Sequence, residues 1–207
     1  MPLDAYRISI PKRGVLTIDA ASALFDTAVA LTDSSKTIAA LDDDGAGGTD
    51  SRLEVLLNAG EYYASLLSLD DGLGDYSIST VFRDPKVCAV DPISSDSTLT
   101  AALAGTDCRL RDVLPASTAN SRSDGYSITI PEKQSVKFDV TADAFAPVIF
   151  VLGGDGKVAA STLSSPSLSG TKASLTLSAA GNYTVIIGSV AERTGSYKLT
   201  TVSSPLQ

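Results

Sequence analysis

The feature that most constrains this chain is an internal repeat, because the sequence aligns with itself at an offset of 120 residues. Residues 4–11, DAYRISIP, align with residues 124–131, DGYSITIP. After a gap of one residue, residues 59–62, AGEY, align with residues 180–183, AGNY. Ordered matches of this kind with a single gap indicate that two homologous units are present.

Short runs of alternating apolar residues predict β-strands in both units. In the first unit Tyr6, Ile8 and Ile10 alternate with polar residues, and Leu53 and Val55 continue the pattern. A period of two, interrupted by Gly, Asp, Asn and Ser, is typical of antiparallel strands with one buried face. Seven or eight short strands per unit favour two packed sheets. We therefore predict an all-β chain of two tandem antiparallel β-sandwich domains.

The second unit contains more sequence before its repeat than the first. We place the first domain at residues 1–82, a linker with two prolines at 83–96, and the second domain at 97–207. Residues 97–103 alternate as a strand and residues 107–110 predict another, and both precede Asp124. The first unit lacks these opening strands, so we interpret the chain as part of a longer polypeptide. We expect residues 83–96 or a neighbouring molecule to cover the sheet edge that is left open.

The composition excludes most hydrolase chemistry. The chain has no histidine and two cysteines, which rules out Ser-His-Asp and Cys-His triads, histidine metal sites and four-thiolate zinc sites. Asp26-Thr27 resembles part of an aspartic peptidase motif, but that chemistry needs a second carboxylate and the second unit has Ala146 there. We predict that the chain is not an enzyme.

The excess negative charge lies in the first unit. Residues 1–82 carry 13 acidic and five basic residues, whereas residues 83–207 carry 11 of each. An acidic surface repels phosphate, so we expect neither nucleic acid nor anionic membrane as a partner, and divalent cations fit better. No run of 18 apolar residues predicts membrane insertion, and residues 1–4 show no signal peptide. Either the chain is intracellular or a signal peptide lies outside this sequence.

Five motifs of the first unit together resemble the bacterial pre-peptidase C-terminal domain. In order they are residues 4–11, residues 25–27 (FDT), the loop DDDGAGGTDSRL from Asp42, residues 59–63 (AGEYY) and residues 74–78 (GDYSI). The second unit keeps the strand motifs and loses the acidic loop. The resemblance implies secreted, jelly-roll-like β-sandwich modules, often attached to extracellular peptidases and frequently binding calcium.

The acidic loop is the strongest candidate for an ion site. Asp42, Asp43, Asp44 and Asp50 offer carboxylate oxygens, which Ca²⁺ prefers, and the intervening glycines let the backbone turn. The alternative is a solvated acidic loop. Comparison of the two units favours calcium, because the second unit has no carboxylate at the paired positions (Thr162, Leu163, Ser164 and Gly170), and Asp26 is replaced by Ala146. We predict calcium in the first unit only, held by Asp26 and the four loop aspartates.

Two further features of the sequence each allow two interpretations. Asp70 and Asp71, in a later loop, could contribute to a second ion, but a solvated hairpin is the preferred interpretation. Cys88 and Cys108 both precede the second repeat. Given the resemblance to a secreted family, we expect them to form a disulfide rather than remain free thiols.

The resemblance sets the functional expectation. It implies a non-catalytic accessory module, stabilised by calcium in its first copy, within a larger secreted, cell-surface or periplasmic protein. The alternative is a module that binds a polysaccharide or an extracellular protein and thereby targets an attached peptidase or other enzyme to its substrate.

Overall fold

The computed structural model describes residues 3–163 and 170–206, and it divides into two compact units. The first unit comprises Met1–Lys86 with Leu114–Thr118, and the second comprises Val87–Val113 with Ala119–Gln207. Nearly all the regular structure is strand. The prediction of an all-β chain is confirmed.

From residue 3 onwards, where its description begins, the first unit forms two antiparallel sheets built from seven strands. These are β1 (Leu3–Ile10), β2 (Gly14–Ala21), β3 (Thr27–Asp33), β4 (Ile38–Asp42), β5 (Ser51–Leu57), β6 (Gly60–Ser68) and β7 (Ser77–Arg83). One sheet has the order β1-β6-β3-β4 and the other has the order β5-β2-β7.

The core of the first unit contains the residues that the alternation marks as inward-facing. Leu16 and Ile18 of β2 are buried in one cluster with Leu53 and Val55 of β5. Val29 of β3 belongs to the same cluster and comes from the other sheet. Burial of these apolar side chains is the main favourable contribution to the folding of the unit.

The described residues of the second unit, 87–113, 119–163 and 170–206, form ten strands and one helix of four residues. The strands are β8 (Val90–Pro92), β9 (Ser97–Leu103), β10 (Cys108–Arg109), β11 (Arg122–Ile130), β12 (Gln134–Ala142), β13 (Pro147–Leu152), β14 (Val158–Ser161), β15 (Lys172–Leu177), β16 (Gly181–Ser189) and β17 (Gly195–Pro205), and the helix is α1 (Leu110–Val113). One sheet has the order β10-β11-β16-β13-β14, with β8 also on β11, and the other has the order β15-β12-β17-β9.

Strand pairing repeats between the units in the register that the sequence repeat predicts. Tyr6 lies opposite Ala64, and its counterpart Tyr126 lies opposite Val185. In the other sheet Ile18 lies opposite Thr80, as Phe138 lies opposite Thr201. Each partner in the second unit is 120 or 121 residues beyond its counterpart in the first. The repeat is therefore one of three-dimensional structure as well as of sequence.

Three strands of the second unit have no counterpart among the described residues 3–86 of the first. The predicted strand over residues 97–103 is confirmed as β9, which extends its sheet beyond β17. Strands β8 and β10 both pair with β11, β8 in parallel and β10 antiparallel. In the first unit, β1 and β7 stand at the ends of their sheets.

One of the two alternatives for covering the open sheet edge is wrong, and one predicted strand is shorter than expected. Residues 83–96 do not lie along β7, because Val90–Pro92 pairs with β11 of the second unit instead. The strand predicted within residues 107–110 is confirmed as β10, and it is limited to two residues because the chain enters α1 at Leu110. The Asp112 carboxylate accepts the N–H of Arg109 at 2.9 Å, which favours the turn into the helix.

Residues after α1 pack on the first unit. Within Leu114–Thr118, the N–H of Ala116 donates to the carbonyl of Leu56 in β5 at 2.8 Å. This contact lies on β5, at the opposite end of the sheet from β7.

Candidate functional site

The candidate site is built around Asp26, the residue directly before β3. Two loops bond to this point of the backbone: the N–H of Leu69 donates to the carbonyl of Asp26, and the N–H of Thr27 donates to the carbonyl of Thr49, both at 3.0 Å. Leu69 begins the β6–β7 loop (residues 69–76), and Thr49 belongs to the acidic loop (residues 42–50). The fold therefore brings the two acid-bearing loops to either side of Asp26.

A buried pair of hydroxyl groups fixes the end of the acidic loop. The hydroxyl oxygens of Thr27 and Ser51 are 3.0 Å apart, and the Ser51 hydroxyl also donates to the carbonyl of Thr27 at 2.7 Å. Both side chains are fully buried, so these bonds are shielded from water. No motif in the sequence predicts this pair. The replacement of Thr27 by Pro147 in the second unit was the available signal.

Two of the predicted ligands stabilise the loop itself. One carboxylate oxygen of Asp42 accepts the N–H groups of Gly45 at 2.8 Å and Arg52 at 2.9 Å, which holds the loop closed. Asp50 accepts the N–H of Ser22 at 3.3 Å. Between them Gly47 and Gly48 have φ of 95° and 70°, a region that side chains rarely adopt.

Asp26 has a carboxylate oxygen that is buried and lacks a partner. Its Oδ1 has no hydrogen bond among the described residues. Burial raises the pKa of Asp26 above its ordinary value, and the charges of Asp44, Asp70 and Asp43 raise it further. A buried polar atom without a partner is unfavourable and calls for an explanation, such as an ion.

Asp70 belongs with this group, which the sequence analysis did not predict. Its pKa is lowered because its carboxylate accepts the N–H of Gly72 and the hydroxyl of Ser68, so it is ionised close to Asp26. The pairing of Thr27 with Ser68 places the residues before β3 next to those after β6. A prediction that β3 pairs with β6 could therefore have identified Asp70 as a neighbour of Asp26.

The predicted ligands are thus divided between two roles. Asp43 and Asp44 raise the pKa of Asp26 through their charges, whereas Asp42 and Asp50 accept backbone hydrogen bonds. Within residues 3–163 and 170–206, no three acidic or thiol side chains converge closely enough to hold one metal ion as they are placed. Ser164, one of the compared positions of the second unit, lies outside the described residues. The donor chemistry around Asp26 is that of a hard cation such as Ca²⁺.

The predicted pair Cys88 and Cys108 forms a disulfide in the structure. Cys108 lies in β10, and Cys88 lies two residues before β8. Both strands pair with β11. The bond therefore joins the two short segments that cover one edge of the second unit.

An aspartate and two tyrosines recur in both units. In the second unit the Tyr197 hydroxyl donates to Asp124 at 2.6 Å and lies 2.5 Å from the Tyr126 hydroxyl. Burial raises the pKa of Asp124, although the bond from Tyr197 opposes that shift. This cluster of Asp124, Tyr126 and Tyr197 is largely buried.

The first unit repeats this cluster with Asp4, Tyr6 and Tyr76 near the surface. The Tyr76 hydroxyl donates to Asp4 at 2.8 Å and is hydrogen-bonded to the Tyr6 hydroxyl. Beside it is a cavity of about 150 Å³, lined in part by Asp4, Phe25, Leu67, Gly74 and Tyr76.

Comparison with known proteins gives structural likenesses alone. No protein-family model and no curated protein matches the chain. The structural match to the pre-peptidase C-terminal domain of collagenase from Bacillus anthracis covers 57% of this chain and 99% of that domain, with 14% sequence identity and a TM-score of 0.41. The match to the lysozyme inhibitor PliG of Aeromonas hydrophila covers 56% of this chain and 100% of the inhibitor, with 10% sequence identity and a TM-score of 0.35. The match to the CUB1-EGF-CUB2 region of human MASP-1/3 covers 98% of this chain and 93% of that region, with 11% sequence identity and a TM-score of 0.30.

Among the described residues, no helix is long and apolar enough to cross a membrane. A disulfide is typical of proteins that fold in an oxidising compartment.

Proposed function

We propose that this chain is a non-catalytic accessory module of the pre-peptidase C-terminal type, within a larger extracellular protein, and that its first unit binds Ca²⁺. The motifs of residues 4–78 support the module type, and the disulfide supports an oxidising compartment. The role of the ion is to stabilise the first sandwich.

The observation that carries the calcium proposal is the unpartnered Oδ1 of Asp26. The atom is buried, and the carboxylates of Asp44, Asp70 and Asp43 lie near enough to raise its pKa. Repulsion among these carboxylates is unfavourable at neutral pH, and a divalent cation would convert it into attraction. Asp26, Asp43, Asp44 and Asp70 would supply its oxygens.

Closure of the site requires a small movement of the acidic loop. Asp43 and Asp44 are exposed, whereas Asp42 and Asp50 hold the two sides of the loop by backbone hydrogen bonds. The exposed carboxylates of Asp43 and Asp44 can turn towards Asp26 while the hydrogen bonds of Asp42 and Asp50 keep the loop in position. Calcium accepts such flexible coordination, with six to eight oxygens at about 2.3–2.6 Å.

Calorimetry with matched variants tests the proposal. Titration of the whole chain with CaCl₂ should give saturable heat for the wild type and none for Asp26→Asn. Asp33→Asn is the control, because it removes the same charge from a turn of the first unit, where Asp33 bonds to Ser35 and Thr37. Asp33→Asn should lower the melting temperature and keep the calcium response.

Stability provides the second measurement. An ion that binds only the folded state adds about 2.7 kcal/mol at a hundredfold excess over its dissociation constant. Calcium should therefore raise the melting temperature of the first unit, and a chelator should reverse the effect. A wild-type chain that gives no heat and melts identically in calcium and chelator contradicts the proposal.

A further inference from the structure

A cavity of about 510 Å³ lies in the second unit, at the point where the chain leaves β8. It is lined by residues 92–95, which follow β8 towards β9, and by residues 127–129 of β11 and 182–183 of β16. Cavities of about 300–1,000 Å³ are typical of sites for small molecules. All of the lining belongs to the second unit.

Hydrogen bonds to both sheets hold the cavity open. The N–H of Ile93 donates to the carbonyl of Ser127 in β11 at 2.9 Å. One residue later, the carbonyl of Ser94 accepts the hydroxyl groups of Ser97 at 2.7 Å and Thr201 at 2.8 Å. Since Ser97 and Thr201 belong to the opposite sheet, the segment crosses from one sheet to the other and is fixed at both. A preformed site of this kind lowers the entropic cost of binding.

The apolar part of the lining rests on the core of the unit. Ile128 is a buried core residue, and Ile93 and Tyr183 pack against the same cluster. The ring of Tyr183 lies over Gly181, where a side chain would come within 3.3 Å of three ring atoms. The cavity therefore contains an aromatic ring whose position is set by its neighbours.

The polar part of the lining consists of hydroxyl groups and one amide. Ser94, Ser95 and Ser127 contribute hydroxyls, each of which can donate and accept a hydrogen bond. The Thr129 hydroxyl donates to the carbonyl oxygen of Asn182 at 2.7 Å. Because this bond occupies the amide oxygen, the amide NH₂ group of Asn182 is the part that can donate to a ligand.

None of the nine lining residues is charged, although 19% of the residues in the chain are. At the positions of Ser127 and Asn182 the first unit has Arg7 and Glu61, which form an ion pair at 3.6 Å. The counterpart of Tyr183 is Tyr62, so the ring is common to both units. The second unit thus keeps the ring and replaces the ion pair by a hydroxyl and an amide.

From this lining we propose that the cavity binds a neutral saccharide, as part of a polysaccharide chain. A pyranose ring has an apolar face of C–H groups and a rim of hydroxyls. Its face would lie on Tyr183, and its hydroxyls would bond to Asn182 and the three serines. The inference goes beyond the proposed function and concerns the second unit, so it does not depend on calcium.

Other classes of ligand fit the lining less well. A phosphate or carboxylate group meets no cationic side chain there. A wholly apolar ligand would remove water from the hydroxyls and the amide without replacing its hydrogen bonds, which is unfavourable. A saccharide satisfies both parts of the lining at once.

The probes are three neutral hexasaccharides: cellohexaose, chitohexaose and maltohexaose. Each is titrated into the whole chain by calorimetry in the presence of a chelator, so that the result is independent of the calcium proposal. We expect saturable binding of at least one of them.

Exchange of the charged pair between the units locates the site. Ser127→Arg/Asn182→Glu introduces the ion pair of the first unit, which the same strand register accommodates there. This variant should bind at least about tenfold more weakly, because the pair removes the neutral donors and extends into the cavity. The reverse exchange in the first unit, Arg7→Ser/Glu61→Asn, is the control and should leave binding unchanged.

The tyrosine ring provides a second matched comparison. Tyr183→Leu keeps an apolar side chain and removes the ring, and we expect binding to weaken at least about tenfold. Tyr62→Leu makes the same change in the first unit and should leave binding unchanged.

Three results would overturn the inference. The first is no saturable binding of any of the three hexasaccharides. The second is equal binding by the wild type and by Ser127→Arg/Asn182→Glu. The third is an equal loss of binding for Tyr183→Leu and Tyr62→Leu. The charge and ring comparisons are independent, so each remains decisive if a variant of the other does not fold.

Discussion

Asp26 illustrates at the scale of one residue how a group can destabilise a fold and still be useful. Its buried Oδ1 and its acidic neighbours raise its pKa, so the ionised form is disfavoured in the folded protein. A carboxyl of this kind contributes stability below its ordinary pKa of 3.8, and this contribution is lost as pH rises through the raised value. The proposed ion requires the ionised form.

Replacement of Asp26 should therefore have opposite effects with and without calcium. In chelator at neutral pH, Asp26→Asn should melt at a higher temperature than the wild type, because it removes a buried charge and its repulsion by Asp44. In excess calcium the order should reverse. Melting curves between about pH 4 and 7 should show the chelator difference shrinking as acid protonates Asp26. The same sign of difference in both conditions would contradict this assignment.

The two aspartate–tyrosine clusters provide a second prediction at this scale. Tyr197→Phe removes the hydroxyl that donates to the partly buried Asp124, and should destabilise the second unit by about 2 kcal/mol. Tyr76→Phe removes the corresponding bond to Asp4 near the surface and should have a smaller effect, because water replaces it. Chemical denaturation of both variants measures the difference. Equal losses would show that burial does not distinguish the clusters.

At the scale of elements, the second unit differs from the first by the segments added to its sheet edges. Strands β8 and β10 cover the edge of β11, and the Cys88–Cys108 bond connects them across a separation of 20 residues. Because these strands are only three and two residues long, their pairing alone is weak. The disulfide restricts the unfolded ensemble of the segment that carries them.

Removal of the disulfide should loosen this edge. The double variant Cys88→Ser/Cys108→Ser should lose about 3 kcal/mol, the loop-closure contribution for a loop of this size. Amides of β10 and the start of β11 should exchange faster, while those of β12 keep their protection. Unchanged exchange at Arg122 and Ser123 would show that strand pairing suffices without the bond.

Sequence patterns predicted the strands that lie in the repeat, and failed where position is decided by distant contacts. Residues 97–103 were predicted because they alternate, and they form β9. Residues 83–96 gave no such pattern, so their pairing with β11 was missed. For the candidate site, the repeat indicated Asp26, but it could not separate Asp42, which bonds to the loop backbone, from Asp70, which lies near Asp26. That distinction depends on which N–H groups each carboxylate meets after folding.

At the scale of the whole molecule, each unit has its own core and its own proposed stabilising device. The acidic residues lie around Asp26 in the first unit, and the disulfide lies in the second. We therefore expect calorimetry to show two separable responses. A chelator should lower the melting of the first unit alone, and a reductant should lower that of the second alone. A single transition moved equally by both reagents would contradict separate stabilisation.

The order in which the strands pair has a consequence for the making of the protein. In each repeat the first two strands pair with the last two: β1 pairs with β6 and β2 with β7, as β11 pairs with β16 and β12 with β17. Non-local pairing of this kind is slow, because a long loop must close before any contact offsets its entropy. While the chain emerges from a ribosome or a translocation pore, β1 has no partner until β6 follows, and β2 can pair only with β5 until β7 follows. Each sandwich can close only after its final strand has emerged, so we expect each sandwich to fold as one unit.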